Sequence, residues 1–141
     1  MTKYLLDTNV LIRFLLGDHS TLSPEARALF QEAHDGKCTL VLSELVIAEA
    51  VWVLSSLYKV ERKDIAEKLS NVIEMAGIRC SENERTLDAL GRFRKTNCNY
   101  MDCYLGALSV ETGYPVATFD KDFRKFKDVR LRERARDCFK F

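Results

Sequence analysis

Tyr4-Leu5-Leu6-Asp7 and Val116-Ala117-Thr118-Phe119-Asp120 decide how this chain reads. Each is a short apolar run closed by an aspartate, the pattern of a buried strand with an acid at its carboxyl end. Between them the apolar spacing turns helical. Residues 9–16 read as a helix closed by Gly17, and Ser23-Pro24-Glu25 starts a second one that runs to about His34 and stops at Gly36. Residues 39–42 read as a strand, and Ser43 caps a long helix to about Leu57.

Ile65, Leu69, Val72, Ile73 and Ala76 repeat at helical spacing, so residues 62–76 form a helix that Gly77 stops. A short strand over 78–80 follows, then a helix opened by residues 81–84 that reaches about Lys95. Asn99 caps a helix through Glu111, ended by Gly113 and Pro115. Residues 116–119 are the fourth strand, and 129–131 can add a short fifth. This alternation predicts a three-layer α/β/α sandwich around a mostly parallel sheet of four or five strands, as one domain over residues 1–141. In such sheets ligands bind beyond the carboxyl ends of the strands. Asp7 and Asp120 are expected at that edge.

The chain has 141 residues, 47% apolar and 30% charged, which suits a globular protein with a substantial core. A net charge of +1 gives no overall field toward nucleic acid, so any such contact needs a local patch. Cys38, Cys80, Cys98, Cys103 and Cys138 form no C-x-x-C pair, and His19 and His34 are too few to complete a zinc site. Reduced thiols in a cytoplasmic protein are the simpler reading. The first apolar stretch is cut by Asp7, unlike a signal peptide. The run 45–54 contains Glu49 and is too short to span a bilayer, so no membrane association is expected. His19, in a loop, and His34, at a helix end, read as exposed surface residues.

Four acids stand out. Asp7 begins Asp-Thr-Asn, where it is a helix cap or a functional carboxylate, or a phosphorylated aspartate with Asn9 in place of the usual second acid. Glu49 has Leu45, Val46, Trp52 and Val53 as helical neighbours, a setting in which an ionised carboxylate requires a salt bridge or a cation. Glu44, one turn earlier, reads as first-turn electrostatics. Asp102 lies in a first turn too, but Gly106 and Ser109 on its face leave room for a neighbouring element or a ligand. Asp120 follows its strand directly. Asp122 is a further ligand or a turn residue.

Two unit charges about 4 Å apart repel by ~4 kcal/mol at an effective dielectric of 20. Asp7, Glu49, Asp102 and Asp120 could therefore converge only around a cation. Oxygen-only ligands suit Mg²⁺ or Mn²⁺, ions that activate water and polarise phosphoryl oxygens.

Asp7-Thr8-Asn9-Val10-Leu11, the helical Glu49, Asn99-Tyr100-Met101-Asp102 and Ala117-Thr118-Phe119-Asp120-Lys121-Asp122-Phe123, taken in order, resemble the PIN-domain family, and most of all its VapC-type ribonuclease toxins. The resemblance spans essentially the whole chain. It implies a Mg²⁺- or Mn²⁺-dependent endoribonuclease with Asp7, Glu49, Asp102 and Asp120 as its acidic quartet and metal ligands. Asn9, Thr118 and Asp122 would support them. It implies hydrolysis by in-line attack of an activated water, leaving a 5′-phosphate and a 3′-hydroxyl. It also implies a homodimer and a cognate antitoxin that places an arginine or a helix in the acidic groove. Trp52, Leu57 and Tyr58 are candidates for the dimer face, or for core.

RNA needs positive charge. Arg13, one turn after Asn9, is the first candidate phosphate contact. Lys121 and Arg124 follow, within a basic tail that also holds Lys125, Lys127, Arg130, Arg132, Arg134 and Arg136. Phe119, Phe123 and Phe126 read as core rather than stacking platforms. The competing readings are a nuclease of RNA processing or of DNA without an antitoxin, a binding module of the same fold that does not cleave, and a phosphotransferase using Asp7. The last leaves Glu49 without a task.

Overall fold

The computed structural model describes residues 1–132. Its elements are β1 (Thr2–Leu5), α1 (Thr8–Leu16), α2 (Leu22–His34), β2 (Cys38–Leu42), α3 (Glu44–Ser56), α4 (Arg62–Ile73), β3 (Ile78–Cys80), α5 (Asn83–Lys95), α6 (Tyr100–Thr112) and a 3-10 helix (Lys121–Lys125). The expected α/β alternation is present. The strands pair in parallel in the order β1-β2-β3, with Tyr4 opposite Leu40 and Leu40 opposite Ile78. Leu40, Leu42, Ile47, Leu54, Ile65, Leu69 and Leu90 are fully buried between sheet and helices and form the centre of the core.

Local chemistry sets the helix ends. Asp7 caps α1, and Gly17 closes it in the left-handed conformation. Ser43 Oγ accepts the Val46 N–H at 3.2 Å, as expected of a cap. Asn99 Oδ1 accepts the Asp102 N–H at 2.9 Å, and Gly113 ends α6 at φ 77°. The start of α2 differs from expectation. Ser23 lies inside the helix, fully buried, and donates to the Arg13 carbonyl at 2.8 Å. The cap is supplied by His19, whose Nδ1 accepts the N–H groups of Leu22 at 2.9 Å and Thr21 at 3.3 Å. His19 is therefore a half-buried structural residue, whereas His34 is exposed as anticipated.

Two strand expectations need correction. β1 is exposed along its length, because it pairs only with β2 and forms a sheet edge among the described residues. Burial begins one residue later, at Leu6. Residues 116–119 form no strand; only a parallel bridge between Val116 and Leu131 is made. Pro115 has no N–H to offer a ladder. Val116 uses its own N–H and C=O on Arg130 and Arg132. The described sheet thus has three strands, not four or five.

Phe123 and Phe126 are core, as read from sequence, whereas Phe119 is 89% exposed. Gly106 does what its size suggested: a Cβ there would lie 3.2 Å from the Phe126 ring, so α6 and the segment after Asp120 approach closely. Cys38, Cys80, Cys98 and Cys103 are buried free thiols, while Cys138, Arg134 and Arg136 lie outside the described residues. Among the described residues no helix is long and apolar enough to cross a membrane.

Gly77 is the most closely enclosed of the glycines. Its φ is +85°, and a Cβ would sit 2.3 Å from the Ala33 carbonyl oxygen. Its own carbonyl accepts the Leu40 N–H at 2.8 Å, which sets β2 against the turn into β3. Gly77→Ala is expected to cost at least about 2 kcal/mol, from overpacking plus the left-handed backbone. Urea unfolding midpoints of the two proteins measure it.

Candidate active site

Asp7 leaves the carboxyl end of β1 and turns back over α1, where its Oδ2 accepts the Asn9 N–H at 3.3 Å. Asn9 thus supports Asp7 through its backbone. Glu49 lies on the outward face of α3 and is exposed, as are Leu45 and Trp52, one turn to either side on that face. The core side of α3 is Ile47, Ala50, Val51 and Leu54. The apolar neighbours of Glu49 are thus mostly uncovered, and the expectation that burial would force a counter-ion on it is corrected. Water reaches this carboxylate.

Asp102 behaves differently. It is half-buried in the first turn of α6, and among the described residues its Oδ2 has neither solvent contact nor a hydrogen-bond donor. Burial pushes its pKa up first, and the charges of Asp120 and Asp122 push it further. Asp120 caps the 3-10 helix: its Oδ1 accepts the Asp122 N–H at 2.8 Å, and its own N–H donates to Thr118 Oγ1 at 2.9 Å. Asp122 pairs with Lys125 at 3.3 Å. Its carbonyl accepts the buried Cys98 thiol at 3.7 Å.

The structure therefore joins Asp102, Asp120 and Asp122 into one electrostatic unit, with Thr118 as its brace. Asp7 and Glu49 are carried by α1 and α3, which pack on each other, and α3 also meets α6. Among the described residues no three His, Cys, Asp or Glu side chains form a ready-made cage for an ion. Asp7 and Asp120 each hold a backbone amide, and Asp122 holds a lysine. The donor chemistry nevertheless suits a hard divalent cation. All four acids offer oxygen only, and the Asp102 Oδ2 is a buried acceptor in need of positive charge.

Of the candidate phosphate contacts, Arg13 is half-buried. It lies with Asn9, Leu22 and Glu25 in a groove of about 220 Å³ between α1 and α2, 3.9 Å from Asp18. Lys121 and Arg124 are exposed on the 3-10 helix. Glu44 is more than first-turn electrostatics. It accepts from Arg85 at 3.1 Å and from the Tyr104 hydroxyl at 3.0 Å, and Arg85 also pairs with Glu111 at 2.6 Å. This network ties α3, α5 and α6 together behind Asp102. The reading of single helices missed it, because its members are 19 to 60 residues apart.

A sequence model of the PIN domain matches residues 4–129. The chain is also similar to a protein described as "VapC ribonuclease" from Aquifex aeolicus (strain VF5), with 29% identity over 128 residues, covering 89% of this chain and 94% of the relative.

The raised Asp102 pKa has a sign that can be checked without metal. The folded state resists ionisation, so this group's contribution to stability falls as pH rises from the ordinary carboxylate range through the folded-state pKa. Asp102→Asn removes that penalty. At pH 7 in a chelator the variant should melt at a higher temperature than the wild type. The gain should shrink as pH approaches about 4. Differential scanning calorimetry across pH tests both statements.

Proposed function

The chain belongs to the PIN-domain family, and from that premise we propose that it is a divalent-metal-dependent endoribonuclease, the toxin of a type II toxin–antitoxin pair, folded as one domain. The observation that carries the metal is the buried, donor-less Oδ2 of Asp102 beside Asp120 and Asp122. The ribonuclease reading is supported by the similarity to the VapC ribonuclease along nearly its whole length.

In this reading Asp7, Glu49, Asp102 and Asp120 hold Mg²⁺ or Mn²⁺, with Asp7 and Asp102 as the firmest ligands. When bound, the ion supplies Lewis-acid polarisation of a phosphoryl oxygen and acidifies a water for attack. The chain's own residues do the rest. Asn9 fixes the Asp7 carboxylate from its amide, and Thr118 fixes the Asp120 turn. Arg13, Lys121 and Arg124 are proposed to bind phosphates on either side of the acids, where charge neutralisation draws RNA in. No side-chain nucleophile is required. Hydrolysis in line leaves a 5′-phosphate and a 3′-hydroxyl.

The proposed partners follow from two surfaces. Unpaired carboxylates suit an arginine delivered by an antitoxin. Leu45, Trp52 and Met101, 82%, 60% and 59% exposed, form an uncovered apolar face across α3 and α6. With Leu57 and Tyr58 beyond it, this face is proposed as the homodimer contact.

Purified protein should cut a labelled structured RNA with Mn²⁺ or Mg²⁺ and not in a chelator. Asp7→Asn should lower the rate by more than about 100-fold, since even outer-shell losses at metal sites reach that size. Equal cutting in the chelator would sink the metal reading. For the dimer, Trp52→Lys should shift the sedimentation coefficient to that of a monomer while the circular dichroism spectrum stays unchanged.

A further inference from the structure

Arg62 opens α4, where the helix dipole disfavours a cation, and it is half-buried. Burial lowers its pKa from the ordinary arginine value, so the position is costly for a charge. The cost is offset by an unusual set of contacts. The guanidinium lies 3.6 Å over the Phe93 ring, and its Nε donates to the Phe93 carbonyl at 3.0 Å. One terminal nitrogen donates to the Cys98 carbonyl. All of these lie on α5 or in the loop before α6. None is a carboxylate, so among the described residues Arg62 makes no ion pair.

Cys98 is the junction. It is fully buried, and its carbonyl accepts from Arg62 and from the Cys103 thiol at 3.8 Å. Its own thiol donates to the Asp122 carbonyl at 3.7 Å. Asn99, the next residue, caps α6 through the Asp102 N–H. One residue thus touches the turn that presents Asp102 and the turn that presents Asp120 and Asp122, and Arg62 holds that residue in place.

We propose that Arg62 is a positioning residue that, through the Cys98 carbonyl, sets the Asp102 turn against the Asp120–Asp122 turn. The consequence for metal affinity rests on the nuclease reading above; the geometric clamp does not. Two carboxylate-bearing turns that repel each other when ionised need a mechanical restraint to stay facing. A planar, permanently charged fork bonded to two carbonyls provides it, and a lysine cannot reproduce both bonds.

The test uses the full chain with Arg62→Met, which keeps the stem over Phe93, with Arg62→Lys, and with exposed Arg94→Met as control. Two quantities are read. The first is amide hydrogen exchange at Asp102 and Asp122 in the metal-free protein. The second is Mn²⁺ binding, followed by the loss of the free-ion electron paramagnetic resonance signal. Arg62→Met should speed exchange at both amides and weaken Mn²⁺ binding about 10-fold. Arg62→Lys should lie between it and the wild type, and the control should match the wild type. If Arg62→Met does not fold, the lysine variant carries the same comparison. Unchanged exchange at both amides in a folded variant overturns the clamp, whatever the metal does. Faster exchange in a protein whose wild type binds no Mn²⁺ upholds the clamp and overturns the metal reading instead.

Discussion

A carboxylate oxygen buried without a donor is the constraint around which this fold is organised. Asp102 Oδ2 is closed off from solvent and has no hydrogen-bond donor among the described residues, and two further acids act on it. A fold of marginal stability does not hold such a group by accident. The charge must be neutralised by a proton, or by something that arrives. A proton makes the site inert as a ligand, and on the proposed reading a divalent cation would make it a catalyst. On the proposed reading, the same feature that weakens the free protein would prepare it for metal, the usual trade at a functional site.

The surrounding structure keeps that trade from relaxing. Left alone, turns bearing like charges would swing apart into solvent. Gly106 lets Phe126 pack against α6, so the segment after Asp120 is held by apolar burial as well as by the Arg92–Asp128 ion pair. The Arg85 network, with Glu44, Tyr104 and Glu111, braces α6 from its other side. Cys98 joins the two acidic turns directly. Packing, ion pairing and backbone capping all oppose the same repulsion.

How much of this was legible follows from the range of each interaction. Helix limits set by local chemistry were readable: the Asp7, Ser43 and Asn99 caps and the Gly17 and Gly113 stops act within a few residues. The small face of Gly106 and Ser109 was readable as a close approach, though not as the place of Phe126. Two local readings failed for a nonlocal reason. The 116–119 run has strand composition, but its backbone bonds go to Arg130 and Arg132. Ser23 has the sequence of a cap, but its hydroxyl reaches the Arg13 carbonyl and His19 takes over. Glu49 shows the limit of helical-neighbour arguments: its neighbours are apolar, yet they face outward. Arg62 carried an unread signal, a cation at a helix start.

The arginines also bear on how a nearly neutral protein could address RNA on the proposed reading. Arg62, Arg85 and Arg92 are half-buried and engaged with carbonyls, carboxylates and rings inside the fold. Arg85 and Arg92 are matched by carboxylates at contact distance, so they contribute little field to an approaching phosphate, and Arg62 is turned onto carbonyls and a ring. Lys121 and Arg124 stand exposed within four residues of Asp120. Net charge therefore understates what a phosphate backbone would meet near the acids, because it counts engaged and exposed cations alike. The balance near +1 is a sum over two populations. One ties the helices to their neighbours, and the other stands exposed close to Asp120 in the sequence.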